Sequence, residues 1–543
     1  MNSSNLKNRG GSVKTDRLAA GAAVIFVAAA ISIICCPVPR NMSPEALRLI
    51  AVVVLMAGLW MTQVIPLAAT SLLPLILFPV LGLQTAKEVS GTYVNDLVFL
   101  YLGGFIIALG IERWGLHTRI ALHIVRLVGV SPRRVVLGFM LATAGMSMWI
   151  SNTASTLLML PIGLALLKTL DVPLASPSSN QLGQKSSFGS DSQRTLQDVL
   201  AVPLLLGIAY SASLGGMTSI TGTPTNYQAV GVYEEMFPDA PKLTVASWLM
   251  ACLPIGILYL GLAWLVLTWK LPTGTEGQQD TKRQLRDRLT GLGSPSGAEV
   301  KMMIIFAMTA ALWVFRAPLR FGRTKLLAGW SEWCPQWFET LGSSEVSSFY
   351  VAHINDSTIS MLMAFVLFCV PSGTRDADGR PVRLMNWETA SKLPWDVVLL
   401  VGSGFALASA FGTTGLSEWV GLALQQYLKN FPLWLIVACV CLMMTFLTEF
   451  TSNVATVSTL MPTLAALCIA LKVDPRLVMV PAALATSCAF MLPIATPPNA
   501  IVFGSGKIAV KDMVRYGVLL NLIGVPVLTA ATWLLIKPVL GIE

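Results

Sequence analysis

The chain contains 543 residues, of which 54% are hydrophobic and 12% are charged, and its mean hydropathy is +0.68. This composition excludes an ordinary soluble protein and indicates a polytopic membrane protein. The net charge is +9, yet the basic residues lie in short loops between apolar segments, as the positive-inside rule predicts. We therefore expect a lipid bilayer around the chain and no nucleic-acid partner.

Apolar segments that approach the roughly 20 residues needed to span a bilayer recur along the chain. They lie at 18–36, 47–64, 247–269, 301–315, 358–371 and 514–536. The polar stretches between apolar segments are predicted to be connectors. These are a cytoplasmic tail at 1–17, a cytoplasmic loop at 171–197, a charged cytoplasmic linker at 271–298 and an outer loop with short amphipathic pieces at 317–356.

The segment 113–128 has the pattern of an amphipathic helix. Arg119, His123 and Arg126 share one helical face, and leucine and isoleucine side chains occupy another. This pattern predicts a horizontal arm in the membrane interface. A solvated linker helix is the alternative.

Residues 135–168 form two apolar legs on either side of Ser151-Asn152-Thr153. Each leg is shorter than the roughly 20 residues of a straight span. Basic residues at both ends, Arg133, Arg134 and Lys168, place both ends on the cytoplasmic side. The segment is therefore predicted to be a re-entrant helical hairpin with its polar triplet at the tip.

The chain repeats itself after about 300 residues. Asp96, Leu100, Gly104, Phe105, Ala108, Gly115 and Leu116 recur as Asp396, Leu400, Gly404, Phe405, Ala408, Gly415 and Leu416, and the polar triplet recurs at Ser452-Asn453-Val454. The second hairpin is accordingly expected at about 432–471. Five arginines follow the first span at 113–134, whereas 412–430 carries only Glu418 and Lys429. This asymmetry predicts two copies of one transport unit in opposite orientations.

Glycine and proline interrupt one further apolar segment in each half. Gly222 and Pro224 lie within 199–235, and Pro497 and Pro498 lie within 478–505. Such breaks are tolerated in a membrane where the freed backbone lines a cavity or an ion site. We therefore predict a discontinuous helix in each half at the binding site.

The two tips and two breaks offer hydroxyls, amides and free carbonyls, which are hard oxygen ligands suited to sodium, while exposed N–H groups at helix starts favour an anion. Ser147 lies four residues before Ser151, and Thr448 lies four residues before Ser452. Each hydroxyl is thus expected one helical turn below its tip. Two equivalent cation sites follow from this symmetry.

The strings SMWISNTAST and LTEFTSNVAT, with TGTPTN and ATPPNAIVFG, closely resemble the divalent anion/sodium symporters, which carry dicarboxylates, citrate or sulfate. The resemblance runs from about residue 45 to the C-terminus. It implies a homodimer in the cell membrane, with co-transported sodium ions as cofactors and an elevator motion of a transport domain against a scaffold domain. It also implies an all-α fold with an inverted structural repeat, about 11 transmembrane helices and two re-entrant hairpins.

The resemblance assigns a role to residues at each tip and break. One sodium site would comprise Ser147, Ser151, Asn152 and Gly222, and the other would comprise Thr448, Ser452, Asn453 and Ala495. Substrate carboxylates would meet Asn152, Thr153, Thr223, Asn453, Val454, Thr496 and Pro497. Val454 departs from the family pattern, because a threonine there would complete a second Ser-Asn-Thr. The substrate contact at Val454, and the choice among citrate, C4-dicarboxylate and sulfate, therefore stay open.

The implied domain organisation follows the repeat. Residues 18–134 would form scaffold helices and the first arm, 135–270 the first half of the transport domain, 299–430 further scaffold helices and the second arm, and 431–543 the second half of the transport domain. The hairpin tips are expected at 151–153 and 452–454, and the broken helices at 221–226 and 494–499.

Three alternatives remain from the sequence. A sodium-independent exchanger or a sulfate transporter could use the same fold. A membrane-embedded enzyme or receptor is a different class, but an enzyme would need a cluster of carboxylates, histidines or cysteines within the spans, and the acidic residues there are isolated. Glu449 lies within the second hairpin, either as a proton-coupling group or as a structural hydrogen-bond partner.

Overall fold

The computed structural model describes residues 21–129, 131–169, 196–271, 278–322, 324–332, 354–376 and 378–542. Helices dominate these ranges, as predicted. The expected tail at 1–17 and nearly all of the expected loop at 171–197 lie outside the described residues.

Helices of the first half of the chain follow one another with short connections. They are α1 (Gly21–Cys35), α2 (Pro44–Thr62), α3 (Leu67–Thr70), α4 (Leu73–Val80), α5 (Ala86–Thr92), α6 (Asp96–Arg113), α7 (Leu116–Val128), α8 (Pro132–Ser147), α9 (Asn152–Thr169), α10 (Leu196–Gly216), α11 (Pro224–Met236), α12 (Val245–Thr268), α13 (Gln278–Gly291) and α14 (Gly297–Val314).

The second half repeats much of this order. Its helices are α15 (Asp356–Cys369), α16 (Trp387–Ala390), α17 (Trp395–Thr413), α18 (Leu416–Leu428), α19 (Leu433–Leu447), α20 (Asn453–Leu471), α21 (Arg476–Thr486), α22 (Pro497–Phe503), α23 (Val510–Ala531) and, after a π-helical turn, α24 (Lys537–Val539). The series α6 to α9 thus corresponds to α17 to α20, α10 and α11 to α21 and α22, and α12 to α23.

Eight helices in the described ranges are long and apolar enough to cross a membrane, or up to nine if one bent pair counts as a single span. The bent pair is α18 and α19, which meet at 115°. The chain is therefore a helical, multi-pass membrane protein. Both α8 and α9 fall outside these eight helices, whereas α20 is among them.

A glycine forms the sharp turn after the first span of each repeat. Gly115, between α6 and α7, has a φ of 69°, and Gly415, between α17 and α18, has a φ of 74°. A residue with a Cβ atom in this left-handed conformation costs roughly 1–2 kcal/mol. The repeated glycine therefore fixes the same change of direction in both halves.

The arm α7 packs on the rest of the protein through its apolar face, which includes Ala121, Leu122 and Val125. Its polar face makes an ion pair, because Arg119 lies 3.2 Å from the carboxylate of Glu299. Glu299 also closes the N-terminus of α14 by accepting from the backbone N–H of Ser296 at 2.6 Å. The arm is thereby held against the start of α14.

A buried carboxylate joins three helix ends near the C-terminal end of α14, away from the arm. Asp356, the first residue of α15, pairs with Arg316 just after α14, and its Oδ2 accepts from Val245 N at the start of α12 at 3.0 Å. The neighbouring Asn355 donates to the carboxylate of Asp96, the first residue of α6, at 2.7 Å. The starts of α6, α12 and α15 are therefore fixed together.

The expected all-helical architecture is confirmed for the long elements, with two small additions outside them. Two small antiparallel hairpins lie outside the long helices: β1 (Leu319–Phe321) with β2 (Thr324–Leu327), and β3 (Pro371–Arg375) with β4 (Pro381–Arg383). The first hairpin lies in the segment that was expected to carry only amphipathic pieces. Neither hairpin has an apolar face long enough to be recognised from period-two alternation.

Two further boundaries differ from those expected. The charged linker at 271–298 contains the helix α13, and α14 already begins at Gly297. The helical hairpin of the first repeat, α8 with α9, begins at Pro132 rather than at residue 135, because proline suits the first turn of a helix.

Candidate functional site

The connection between α8 and α9 forms the first polar tip. Ser147 ends α8, and its hydroxyl donates to Oδ1 of Asn152, the first residue of α9, at 2.6 Å. Ser151 lies just before α9, and its Oγ accepts from Ala154 N at 3.2 Å, as a serine at a helix N-terminus does. Ser147 is fully buried, whereas Ser151 and Asn152 are half-buried. Three side-chain oxygens are thus held in one short turn.

The second tip, between α19 and α20, repeats this geometry with a threonine. The hydroxyl of Thr448 donates to Oδ1 of Asn453, the first residue of α20. Thr448 is fully buried, and Ser452 precedes α20 as its N-cap residue. The hydroxyl-to-amide contact therefore spans five residues in both repeats, and the predicted equivalence of the tips extends to their hydrogen bonds.

The first broken helix passes from α10 through a 3-10 turn at Ile220–Gly222 into α11. The side-chain amide of Asn226 lies inside this break and donates to the carbonyl oxygens of Gly216, Met217 and Ser219, at 3.1, 3.2 and 2.7 Å. The side chain of Asn226 is fully buried. One amide thus satisfies carbonyls that lost their helical partners at the break.

The second broken helix, α21 to α22, has the same arrangement of amide-to-carbonyl hydrogen bonds. The side-chain amide of Asn499 donates to the carbonyl oxygens of Ala489 and Leu492 at 3.1 and 3.0 Å. Thr496 caps α22 by accepting from Asn499 N at 3.3 Å. The donor and the two acceptors each lie 273 positions after Asn226, Gly216 and Ser219.

The first tip and the first break are in direct contact. A Cβ atom built on Gly216 would lie 2.2 Å from Oδ1 of Asn152, and one built on Gly222 would lie 2.4 Å from the carbonyl oxygen of Gly216. Only glycine leaves room for this approach. The hydroxyl of Thr221 also donates to the carbonyl oxygen of Met148 at 3.2 Å. Asn152, Gly216 and Gly222 therefore form one cluster.

The second tip and the second break are joined by a side chain. Glu449, just after Thr448, accepts hydrogen bonds from the backbone N–H groups of Met491 at 2.8 Å and Leu492 at 3.0 Å. The turn that these two residues begin leads to Ala495, whose N–H donates to the carbonyl oxygen of Leu492 at 3.2 Å. Ala495 is thereby tied to the second tip.

Each broken helix also packs against the hairpin of the other repeat. Helix α11 contacts α20, which follows the second tip, and α22 contacts α9, which follows the first tip. Thr223 and Thr496, at the starts of α11 and α22, are both buried. The break of each repeat therefore packs against the helical hairpin of the other repeat.

A cavity of about 370 Å³ borders the first tip. Ser151 and Thr153 line it, together with Glu112 at the end of α6 and His117 in the arm α7. Burial lowers the pKa of His117 from its usual 6.5. The imidazole is therefore neutral at pH 7, and the charge along this part of the wall comes from Glu112.

Most residues predicted for the site lie at the two tips and the two breaks. The structure joins Ser147 to Asn152 and Thr448 to Asn453 directly, places Ser151 and Ser452 beside them, and sets Gly222 and Ala495 in the breaks. Thr223 and Thr496 begin the following helices, and Pro497 is exposed. Val454 differs from Thr153, because it packs against an apolar cluster that includes Leu407 and Ala410 of α17.

Sequence reasoning missed the residues that shape the breaks. Asn226 and Asn499 end the matched motifs TGTPTN and ATPPN, but neither was assigned a role. Their occurrence at the same place in both repeats was the available signal. Gly216 had no comparable signal, since its contact with Asn152 depends on tertiary structure.

Residues 19–540 match the family model of the sodium:sulfate symporter transmembrane region. The chain belongs to this family. It is 37% identical over 513 residues to the sodium-dependent dicarboxylate transporter SdcS of Staphylococcus saprophyticus, which covers 93% of this chain and 89% of the relative. A protein of the same name from Staphylococcus aureus is 36% identical over the same shares. The family is one of membrane transporters, and the chain is accordingly a transporter rather than an enzyme.

Two solved transporters share the general fold at low sequence identity. The YdaH transporter of Alcanivorax borkumensis superposes with a TM-score of 0.50 and 13% identity, over 86% of this chain and 90% of that one. MtrF of Neisseria gonorrhoeae superposes with a TM-score of 0.50 and 13% identity, over 93% of this chain and 97% of that one. Both similarities concern the fold alone.

Proposed function

We propose that this chain is a sodium-coupled symporter that imports a divalent anion, most specifically a di- or tricarboxylate such as succinate or citrate. The observation that carries the proposal is the duplicated oxygen cluster, in which a buried hydroxyl meets an asparagine amide at each tip: Ser147 with Asn152, and Thr448 with Asn453. The relatives named as sodium-dependent dicarboxylate transporters support the choice of substrate class.

Two sodium sites form at the tips. The first consists of Ser147, Ser151, Asn152 and Gly222, and the second of Thr448, Ser452, Asn453 and Ala495. Neutral hydroxyl, amide and carbonyl oxygens suit a small monovalent cation, which needs several hard ligands and little added charge. The carbonyl-rich breaks beside Asn152 and Glu449 support this assignment.

The substrate lies between the two tips. Its carboxylates contact Asn152, Thr153, Thr223, Asn453, Val454, Thr496 and Pro497. The positive dipole ends at the N-termini of α9, α11 and α20 favour an anion there. Bound sodium adds positive charge at the same place, so that substrate affinity depends on sodium.

The transport cycle is an elevator motion in a homodimer of about 11 spans per protomer. The hairpins α8–α9 and α19–α20 are re-entrant and move with the broken helices as a transport domain. Among the described helices from α6 to the start of α17, α6, α10, α12 and α14 are long and apolar enough to cross a membrane, and we count the shorter α15 as a fifth crossing. An odd number gives the repeats opposite orientations and supports the inverted arrangement.

Uptake by purified protein in proteoliposomes tests the proposal. Labelled succinate, citrate and sulfate are supplied with an inward sodium gradient, with an equal potassium gradient, and with unlabelled anion trapped inside. We expect concentrative uptake of a carboxylate with sodium only. Uptake that requires internal anion but no sodium would identify an exchanger, and preference for sulfate would assign the other substrate class.

A further inference from the structure

The second hairpin carries a buried carboxylate that the proposed sodium and substrate sites do not use. Glu449 is fully buried and directly follows Thr448, a residue of the second cation site. Buried carboxylates are costly and require hydrogen-bond partners. The partners of Glu449 define what it holds in place.

Three N–H donors converge on this carboxylate. Met491 N and Asn521 Nδ2 donate to Oε1 at 2.8 and 2.6 Å, and Leu492 N donates to Oε2 at 3.0 Å. Asn521, in α23, also accepts from Phe490 N through its own Oδ1 at 3.3 Å. Glu449 therefore binds the turn at 490–492 directly and through Asn521.

This turn leads to Ala495, the proposed ligand that the break supplies to the second site. The carbonyl oxygen of Leu492 accepts from both Ala495 N and Asn499 Nδ2. Leu492 alone therefore links Glu449 to Ala495 through hydrogen bonds. A shift of the carboxylate would move Ala495 relative to Thr448 and Asn453.

The first repeat lacks the equivalent acid. Met148 occupies the position 301 residues earlier, and its tip reaches the break through the hydroxyl of Thr221 and a backbone carbonyl. At this position, therefore, the second repeat has a carboxylate bonded to its break, whereas the first repeat has a methionine.

We infer that Glu449 is a positioning residue for the second sodium site, which it assembles by fixing the 490–492 turn against the tip of the second hairpin. The inference rests on the proposed sodium coupling. The carboxylate accepts from three donors, and a glutamine amide can accept through one oxygen only. The substitution Glu449→Gln therefore leaves at least one buried N–H without an acceptor.

The test compares Glu449→Gln with the matched control Met148→Gln, which places the same amide at the equivalent position of the first repeat. The sodium concentration for half-maximal succinate uptake is measured in proteoliposomes, and the KM for succinate is measured at saturating sodium. In detergent without substrate, the rise in Tm produced by sodium chloride over choline chloride reports sodium binding itself.

We expect Glu449→Gln to raise the half-maximal sodium concentration at least about fivefold and to reduce the sodium-dependent rise in Tm. Its succinate KM at saturating sodium should change less than about twofold, and Met148→Gln should behave like the parent in sodium dependence. A purely structural role would instead lower Tm equally in both salts and leave the half-maximal sodium concentration unchanged.

Parent-like sodium dependence in a folded Glu449→Gln protein overturns the inference, as does an equal sodium shift in Met148→Gln. If Glu449→Gln does not fold, Asn521→Leu decides, because it removes one donor and the link to Phe490 but keeps the carboxylate. A smaller sodium shift in that variant supports the inference, and an unchanged value overturns it. Sodium-independent uptake by the parent would instead contradict the proposed function itself.

Discussion

Asn226 and Asn499 occupy equivalent places in the two repeats, and each donates its side-chain amide to the carbonyl groups exposed by the break in its helix. Both side chains are buried, at 0% and 1% exposure. A membrane interior offers no water to these carbonyls, so the amides are what makes the breaks stable there. The breaks thus keep a defined shape in the described conformation.

Replacing Asn226 with leucine should remove its three amide-to-carbonyl bonds. The carbonyl of Gly216 then loses its donor, whereas Met217 O still accepts from Trp248 Nε1 and Ser219 O from Gly222 N. We expect the protein to lose about 2 kcal/mol of stability and most of its transport. Thermal unfolding in detergent and uptake in proteoliposomes measure the two effects. Gln425→Leu is the control, because it removes a similar amide-to-carbonyl bond, to Ala470, away from the breaks. Equal transport in both variants would contradict a role for Asn226 in the site.

Removing a proposed sodium ligand should change sodium dependence more than folding. Ser147→Ala and Thr448→Val each delete one hydroxyl, and we expect the half-maximal sodium concentration to rise about 5- to 100-fold. Thr143→Val and Thr445→Val are matched controls, since these buried hydroxyls lie in the same helices but donate to the carbonyls of Phe139 and Ala485. If the site variants and the controls respond alike to sodium, the two hydroxyls are not ligands.

The two tips should contact the substrate unequally. Thr153 lines the cavity, whereas Val454 packs against apolar residues of α17. Thr153→Val deletes an available donor and should weaken carboxylate binding by about 1–2 kcal/mol. Val454→Thr places a hydroxyl among apolar groups in this conformation, and we expect it to change the rank order of succinate, citrate and sulfate. Competition assays with the three anions measure both effects, and parental affinities in both variants would remove the tips from the substrate site.

Crosslinking tests whether α11 moves against α17. A Cβ atom on Gly404 would lie 1.9 Å from the side-chain nitrogen of Gln228, so cysteines at both positions can be joined by a short, reducible thiol-specific crosslinker. We expect the bridged protein to stop transporting and to recover after reduction. The control pair, Gly110 and Met302, joins α6 to α14, both assigned to the scaffold, where a Cβ would lie 3.0 Å from the methionine sulfur. Full transport with the first pair completely bridged would exclude the elevator motion.

The sequence predicts the tips and breaks because membrane energetics make them conspicuous. Ser151-Asn152-Thr153 interrupts an apolar run, and Gly222 and Pro497 interrupt two others. Each of these residues is costly in a straight span, so its presence alone indicates a special local structure.

Contacts between distant elements were not predictable in this way. The bond between Glu449 and the turn at 491–492 depends on how α19 packs beside α21 and α23, and spacing along the chain carries no such information. The helix α13 was missed for another reason. Its sequence, QQDTKRQLRDRLTG, is almost wholly polar and lacks an apolar stripe.

The wall of the cavity at the first tip has no charged counterpart in the second repeat. Glu112 and His117 correspond, 300 positions later, to Gly412 and Ser417. A dianionic substrate that passes Glu112 meets a like charge. Added salt weakens this repulsion, since the Debye length is about 10 Å at 0.1 M ionic strength. Transport in the two directions should therefore respond differently to ionic strength at constant sodium, and Glu112→Gln should abolish the difference. The duplication thus repeats the hydrogen bonds of the tips but leaves the surroundings of the two tips electrostatically distinct.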